Sequence, residues 1–224
     1  MPRIYLPSTG PGDWQRLLGD PIKHWRTGFS ARTLAHCWEN ADMLPPEIET
    51  ILSPLGNPLR LLAAFPEHKV PLPGASRGDS QNDLFALMRA GERTIAVTVE
   101  GKVNEPFDQP LSKWLQNASP GKLQRLEFLQ SLLGLKGTLP DNLHYQLLHR
   151  TASAVIEADN FKTDMAAMIV HSFSPDRLWF NEFSRFVSLF GITAEPNRLL
   201  TIQPKATRPL HVGWACGGTE FLSR

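Results

Sequence analysis

Two acidic residues and a lysine stand next to apolar runs in this sequence, and together they could bind a divalent cation. Segment 94–99 is apolar and rich in β-branched residues, and Glu100, Gly101 and Lys102 follow it directly. Because strand side chains alternate between two faces, Glu100 and Lys102 must point to the same face. Upstream, Asp83 directly precedes another apolar run. Two carboxylates and an ammonium group can hold a hard divalent cation and position a water beside a phosphodiester.

A β-hairpin would bring these three side chains together. Segments 84–89 and 94–99 both favour strands, and the intervening residues 90–93 contain a glycine and favour a turn. If the two strands pair, the start of the first lies beside the end of the second. Asp83, Glu100 and Lys102 are then expected to converge at one edge of a sheet.

Helical and strand patterns are mixed along the rest of the chain. Helices are predicted at 30–39 with Ser30 as N-cap, and at 47–52, 122–133, 143–158 and 179–190, and segment 108–118 is predicted to contain a short helix. Further strands are predicted at 59–65, 165–173, 199–203 and 211–215, whereas the prolines and glycines of 66–79 favour a loop or an interrupted edge strand. Residues 1–24 are predicted to form an irregular lead-in with one short helical piece around residues 14–18. This order predicts an α/β (mixed α+β) fold, a central mixed β-sheet flanked by helices, in a single domain over 1–224.

Composition is that of an ordinary soluble protein. Hydrophobic residues make up 42% of the chain and charged residues 20%, and the formal net charge is +1. Many nucleic-acid-binding proteins are more basic, although a local basic face remains compatible with this charge. Cys37 and Cys216 lack neighbouring metal-ligand spacing, which disfavours disulfide frameworks and zinc knuckles and favours a reducing cytoplasm. No apolar stretch approaches the roughly 18 residues that a membrane span needs.

The three polar residues resemble the motif of the PD-(D/E)XK nuclease superfamily, which has the restriction-endonuclease-like fold. The match is Asp83 followed by Glu100-Gly101-Lys102, with Asn82 where the motif has proline. Segments 100–107 and 145–158 are similar to an uncharacterised bacterial branch of that superfamily. The resemblance implies a nuclease that hydrolyses nucleic acid, DNA ahead of RNA. Such proteins commonly form homodimers, some require an activating protein partner, and many serve in restriction, repair or defence against phage.

The resemblance also assigns roles to the residues. Asp83 and Glu100 would hold Mg²⁺, for which Mn²⁺ can substitute, and Lys102 would assist attack by water. Four further residues could contact the metal or a phosphate: Glu39, Glu105, Gln146 and Arg150. Glu39 would be the extra acid that many members carry on the first helix, whereas for Glu105 a solvated loop acid is the favoured alternative. Gln146 and Arg150 lie one turn apart on the long helix, where a solvated face is the alternative.

Two other interpretations of the chain stay open. One is a non-catalytic module of the same fold that binds nucleic acid or a protein partner. The other is a structural or toxin–immunity protein whose Asp83, Glu100 and Lys102 are simply solvated. If the three groups converge within about 5 Å of a shared point, they can ligate a metal together. If they do not converge, the interpretation of solvated residues is favoured. His149 and His171 lack a third ligand in register and are predicted to be hydrogen-bonded, partly buried histidines.

Overall fold

A six-stranded mixed β-sheet lies at the centre of the part of the chain that the structure describes. The computed structural model describes residues 8–74, 78–202 and 208–224. The strands are β1 (Leu59–Val70), β2 (Ser80–Ala90), β3 (Arg93–Lys102), β4 (Met165–Ser172), β5 (Leu199–Ile202) and β6 (Leu210–Cys216). Their spatial order is β1-β2-β3-β4-β6-β5. Strands β3, β4 and β6 run parallel, and the other neighbouring pairs are antiparallel.

Helices cover both faces of the sheet, which confirms the predicted fold class. The α-helices are α1 (Pro21–His24), α2 (Ser30–Glu39), α3 (Pro46–Leu52), α4 (Leu111–Trp114), α5 (Pro120–Leu133), α6 (Tyr145–Asn160) and α7 (Phe180–Ser188). Short 3₁₀ helices occupy Pro11–Leu17, Ser53–Leu55 and Thr219–Ser223. One apolar core joins α2 and α3 to the sheet, and the other joins α5, α6 and α7 to its opposite face. None of the helices in the described residues has the length and apolarity needed to cross a bilayer.

Strand β3 is apolar almost throughout because it is buried on both faces. Ile95, Val97 and Val99 belong to the core on the α2 side. Ala96 belongs to the core on the α6 side, and the Thr98 hydroxyl donates a hydrogen bond to the Arg150 carbonyl. A continuous apolar run is typical of a strand with both faces covered. The next positions on the α6 side carry charge instead.

The predicted hairpin is confirmed, and its end creates the space for a site. Strands β2 and β3 pair antiparallel from Ala90–Arg93 to Leu84–Val99. Beyond that point β3 continues beside β4 as far as the pair of Lys102 with Ser172. Strand β3 therefore separates from β2 next to Asp83, at the edge where the three polar residues lie.

The N-terminal elements differ from the sequence predictions in three respects. Strand β1 passes through Pro66 and ends at Val70, because an edge strand tolerates a residue that lacks an N–H group. The prediction of Ser30 as N-cap is wrong: Phe29 holds that position, and the N–H of Ser30 donates to Glu105 Oε1 at 2.7 Å. The short helical piece predicted in the lead-in is present as the 3₁₀ helix Pro11–Leu17, and α1 is a further helix that was not predicted. Residues 1–7 of the lead-in and residue 203 of the predicted strand 199–203 lie outside the described residues.

Candidate functional site

A cleft of about 450 Å³ opens where β3 separates from β2. The predicted residues Asp83, Glu100 and Lys102 all line it. The other polar lining residues from the sheet and α6 are Glu67, Gln81, Gln146 and Arg150. Residues of the N-terminal segment, including Asp20 and His24, form another part of its wall. The antiparallel hairpin thus brings the separate sequence segments to one place.

Glu100 is the centre of a buried ion-pair network. Lys102 Nζ lies 2.7 Å from Glu100 Oε1, and Arg150 Nε lies 2.6 Å from Oε2. The side chains of Glu100 and Lys102 are only 3% and 5% exposed, so the interpretation of a solvated surface pair does not hold. Burial opposes ionisation of Glu100, but Lys102 and Arg150 outweigh it and hold its pKa below the usual value.

Lys102 is held in one orientation by its neighbours. Its Nζ donates to Gln146 Oε1 at 3.3 Å as well as to Glu100. Gln146 in turn donates to Glu100 Oε1 at 2.8 Å and accepts the N–H of Asp108 at 3.1 Å. The ammonium also lies 4.9 Å from the centroid of the Phe107 ring. The sequence predicted Gln146 and Arg150 near the site, and the structure directs both towards Glu100.

Asp83 connects β2 to β3 at the point where the two strands separate. Its Oδ2 accepts the N–H of Gly101 at 2.7 Å. The side chain is half-buried and faces the cleft. Burial, followed by the charge of Glu100, raises the pKa of Asp83 to about 7. Among the described residues, no lysine or arginine forms an ion pair with this carboxylate.

Glu67 is a lining residue that the sequence analysis missed. The pairs Pro66–Leu84 and His68–Asn82 flank it in the β1–β2 ladder, which places Glu67 opposite Asp83. Its Oε2 accepts a hydrogen bond from Gln81 Nε2 at 2.6 Å. Burial and then the charge of Asp83 raise the pKa of Glu67 to about 8. The sequence marks this residue only as an acidic side chain directly after Pro66. It lies in segment 66–79, which was predicted to be a loop or an interrupted edge strand.

These two raised pKa values predict that the metal-free protein loses stability as pH rises. Asp83 and Glu67 bind a proton more tightly when folded, with pKa values of about 7 and 8 against usual values of 3.8 and 4.5. The stabilisation that these two groups contribute is therefore fully present below about pH 4. It is lost as the pH rises through their folded-state pKa values. We expect the free energy of unfolding to fall by about 1–2 kcal/mol from pH 7 to pH 8.5, measured by urea denaturation in EDTA.

A matched variant checks that pH dependence. Glu67→Gln removes one of the two carboxylates and should flatten the profile over the same range. The buried histidines His149, His171 and His211 have lowered pKa values, mainly through burial, so their contribution is nearly complete above pH 7. An equal slope in both proteins would show that Glu67 does not titrate as described.

Two of the predicted site residues, Glu105 and Glu39, accept hydrogen bonds that connect elements of the fold. Glu105 lines the cleft, and its carboxylate accepts the N–H groups of Ser30 at 2.7 Å and Val103 at 3.1 Å, joining α2 to the end of β3. Glu39 does not line this cleft. Its Oε1 accepts hydrogen bonds from Ser8 Oγ at 2.5 Å and Trp14 Nε1 at 2.7 Å near the other end of α2.

The cleft offers the oxygen donors that a hard divalent cation prefers, but in the described residues no three of its carboxylates bring ligand atoms within 4.8 Å of one another. Mg²⁺ prefers oxygen ligands and usually keeps several waters, so few protein carboxylates suffice. Asp83 and Glu67 provide such oxygens without an ion-paired lysine or arginine among the described residues. Glu100 Oε1 already accepts two hydrogen bonds, whereas Oε2 accepts one, from Arg150, and has a second lone pair.

Comparison with protein-family models matches residues 7–219 to the description "Domain of unknown function (DUF6946)". The chain belongs to the DUF6946 family. No curated protein and no solved structure matches this DUF6946 chain.

A second titratable cluster of the DUF6946 protein lies on the α2 side of the sheet. One ligand atom each of Cys37, Glu47 and His171 lies within 4.8 Å of the others. Trp38 Nε1–H donates to His171 Nδ1 at 3.3 Å, so the imidazole proton is on Nε2, which lies 2.7 Å from Glu47 Oε1. A metal on Nε2 would require a proton on Nδ1, where the Trp38 N–H already points. Hydrogen bonding therefore explains this cluster, as predicted for His171.

Proposed function

We propose that this protein is a metal-dependent phosphodiesterase that hydrolyses nucleic acid, with DNA favoured over RNA. The observation that carries the proposal is the meeting of Asp83, Glu100 and Lys102 in one cleft at the end of the β2–β3 hairpin. The same three residues carry the resemblance to the PD-(D/E)XK nucleases and their restriction-endonuclease-like fold. Burial of the Glu100–Lys102 pair supports a specific role, because burying charge has a cost that a solvated pair avoids.

Each residue has a defined task in the proposed reaction. Asp83 and Glu100 supply oxygen ligands for Mg²⁺, and Mn²⁺ is expected to substitute. When bound, the cation polarises the scissile phosphate and lowers the pKa of a bound water. Lys102, fixed by Glu100 and Gln146, stabilises negative charge that builds on the phosphate. The water oxygen bonds to phosphorus, the bond to the 3′ oxygen breaks, and that oxygen takes a proton, leaving a 5′-phosphate and a 3′-hydroxyl.

The proposal extends to partners and location. Cleavage of both strands of a duplex calls for two sites, so we propose a homodimer on DNA, and the resemblance also allows for an activating protein partner that raises the rate. Cys37 and Cys216 are both free, which supports a cytoplasmic location. The resemblance favours a bacterial role in restriction, repair or defence against phage.

One observation favours a second candidate, a non-catalytic module that binds nucleic acid or a protein. The Glu100 carboxylate already accepts hydrogen bonds from Lys102, Gln146 and Arg150. Such a network neutralises Glu100 without a metal ion. In this candidate the cleft keeps its shape through the ion pairs and performs no hydrolysis.

Cleavage assays on the full chain separate the two candidates. Supercoiled plasmid, single-stranded DNA and RNA would each be incubated with Mg²⁺, Mn²⁺ or EDTA. We expect cutting with either metal and none in EDTA, and we expect Asp83→Ala to reduce it to the EDTA background. Asp176→Ala, at an exposed position outside the cleft, is the matched control and should cut like wild type. Cutting by Asp83→Ala at the wild-type rate would exclude the proposed site, and no cutting on any substrate would favour the binding module.

A further inference from the structure

We propose that this protein forms a two-fold symmetric dimer in which α1 of each copy docks in an acidic, apolar groove of the other copy. Helix α1 precedes and contacts the N-terminal end of α2, whereas the groove lies at the C-terminal end of α2. The inference specifies the contact of the homodimer proposed above. Its test does not require nuclease activity, so the dimer and the nuclease can fail separately.

Helix α1 carries an apolar side chain that has no part in the cleft. Asp20 and His24 line the cleft one helical turn apart, so Ile22, midway between them, points away from it. Ile22 is 84% exposed, more than any other large apolar residue that the structure describes. Trp25 packs against the core on the α2 side and holds the turn in place. The fold therefore displays Ile22 on a fixed element.

Two cations accompany Ile22. Lys23 follows it directly, Arg26 lies four positions after it, and both are exposed. Neither forms an ion pair among the described residues. The Arg26 guanidinium lies 5.9 Å from the centroid of the ring of Phe29, the N-cap residue of α2. Ile22, Lys23 and Arg26 together form an apolar, positively charged surface, the α1 knob.

A groove of about 510 Å³ has the complementary character. Its apolar lining includes Phe221 and Met43, and Met43 is 42% exposed. Its charged lining residues are all acidic: Asp42, Glu47, Glu49 and Glu220. Except for Glu47, which is bound to His171, these carboxylates form no ion pair among the described residues. Apolar surface beside unpaired carboxylates suits a partner that presents an apolar side chain between cations, as the α1 knob does.

The positions of the knob and the groove allow a closed dimer. Cys37 and Asn40 place the groove at the C-terminal end of α2, and the knob lies before Ser30, where α2 begins. Helix α2 has 10 residues and is therefore about 15 Å long. When two copies meet with their α2 helices antiparallel, each knob comes to the end of α2 that carries the partner's groove. One two-fold axis then satisfies both contacts, which leaves no free knob or groove to add further copies.

Charge reversal on each surface of the full chain tests this contact. Lys23→Glu with Arg26→Glu makes the knob acidic, and Glu49→Lys with Glu220→Lys makes the groove basic. We expect wild type to sediment as a dimer and each double variant as a monomer, because both contacts of the dimer become repulsive. An equimolar mixture of the two double variants should form dimers again, since every knob then meets a groove of opposite charge.

Two controls separate this contact from effects of net charge and folding. Lys136→Glu with Lys162→Glu makes the same change in net charge at exposed positions outside the knob and the groove, and it should stay dimeric. Ile22→Ser keeps all charges and should raise the dissociation constant of the dimer roughly tenfold, as expected for loss of a central apolar anchor. Thermal unfolding of every variant checks that the chain is folded.

Three results would overturn the inference. The first is a wild-type chain that stays monomeric over the accessible concentration range. The second is a mixture of the two charge-reversed variants that remains monomeric. The third is a dimer that persists in Lys23→Glu with Arg26→Glu; if that variant also bound DNA more weakly than wild type, the knob would contact the substrate instead of a second copy.

Discussion

Replacement of Lys102 by methionine is expected to slow metal-dependent DNA cleavage by about 10²–10³-fold, the usual cost of losing one group that stabilises transition-state charge. Methionine has a similar length and can keep the contact with Phe107, but it cannot donate to Glu100 or Gln146. The loss should appear in the rate at saturating DNA rather than in DNA affinity. Single-turnover cleavage with Mg²⁺ measures it directly.

A matched control separates this effect from a loss of positive charge in general. Lys113 is exposed on α4 and does not line the cleft, so Lys113→Met should cut at the wild-type rate. The Mn²⁺ affinity of Lys102→Met should stay equal to or exceed that of wild type, because Glu100 is freed from one competitor. If Lys102→Met cleaves as fast as wild type, Lys102 has no part in the reaction.

Glu100→Gln should lower the free energy of unfolding by about 3–5 kcal/mol, because it leaves buried cations without their counter-charge. Lys102 and Arg150 are 4% and 8% exposed, and both form their ion pairs with Glu100. Glutamine has nearly the same shape, so the loss reflects charge rather than a cavity. Urea denaturation at pH 7, monitored by tryptophan fluorescence, gives the value.

Glu157→Gln provides a comparison at similar burial. Glu157 is 4% exposed on α6, and its partner His68 Nε2 lies at 3.4 Å. Glu157→Gln therefore leaves no lysine or arginine without its counter-charge, whereas Glu100→Gln leaves both Lys102 and Arg150. We therefore expect Glu157→Gln to cost clearly less than Glu100→Gln. Equal losses of stability in the two variants would show that the unpaired charges of Lys102 and Arg150 are not the cause of the loss in Glu100→Gln.

The Glu100 network also has a consequence for metal binding. A cation that takes Glu100 as a ligand must share it with Lys102 and Arg150. Asp83 forms no ion pair with a lysine or arginine among the described residues. We therefore expect Asp83 to be the stronger of the two proposed carboxylate ligands, with Glu100 linking the metal to Lys102.

Local patterns were sufficient for much of the site. The alternation of strand side chains put Glu100 and Lys102 on one face, and the turn at 90–93 predicted the hairpin that brings Asp83 to them. The helix that carries Gln146 and Arg150 was predicted from its own periodicity and begins at Tyr145. These features depend on residues that are close in sequence, which is why the amino-acid pattern alone was enough to predict them.

Only the tertiary structure decided which groups meet across distant segments. Glu67 reaches the cleft because β1 continues beyond Pro66 as an edge strand, and its pairing with β2 depends on the register of the whole ladder. Arg150 binds Glu100 rather than solvent because α6 packs against β3, and Glu39 lies elsewhere because α2 directs its C-terminal end towards Trp14. Local periodicity determines which face a side chain occupies, but the packing of distant elements determines what that face contacts.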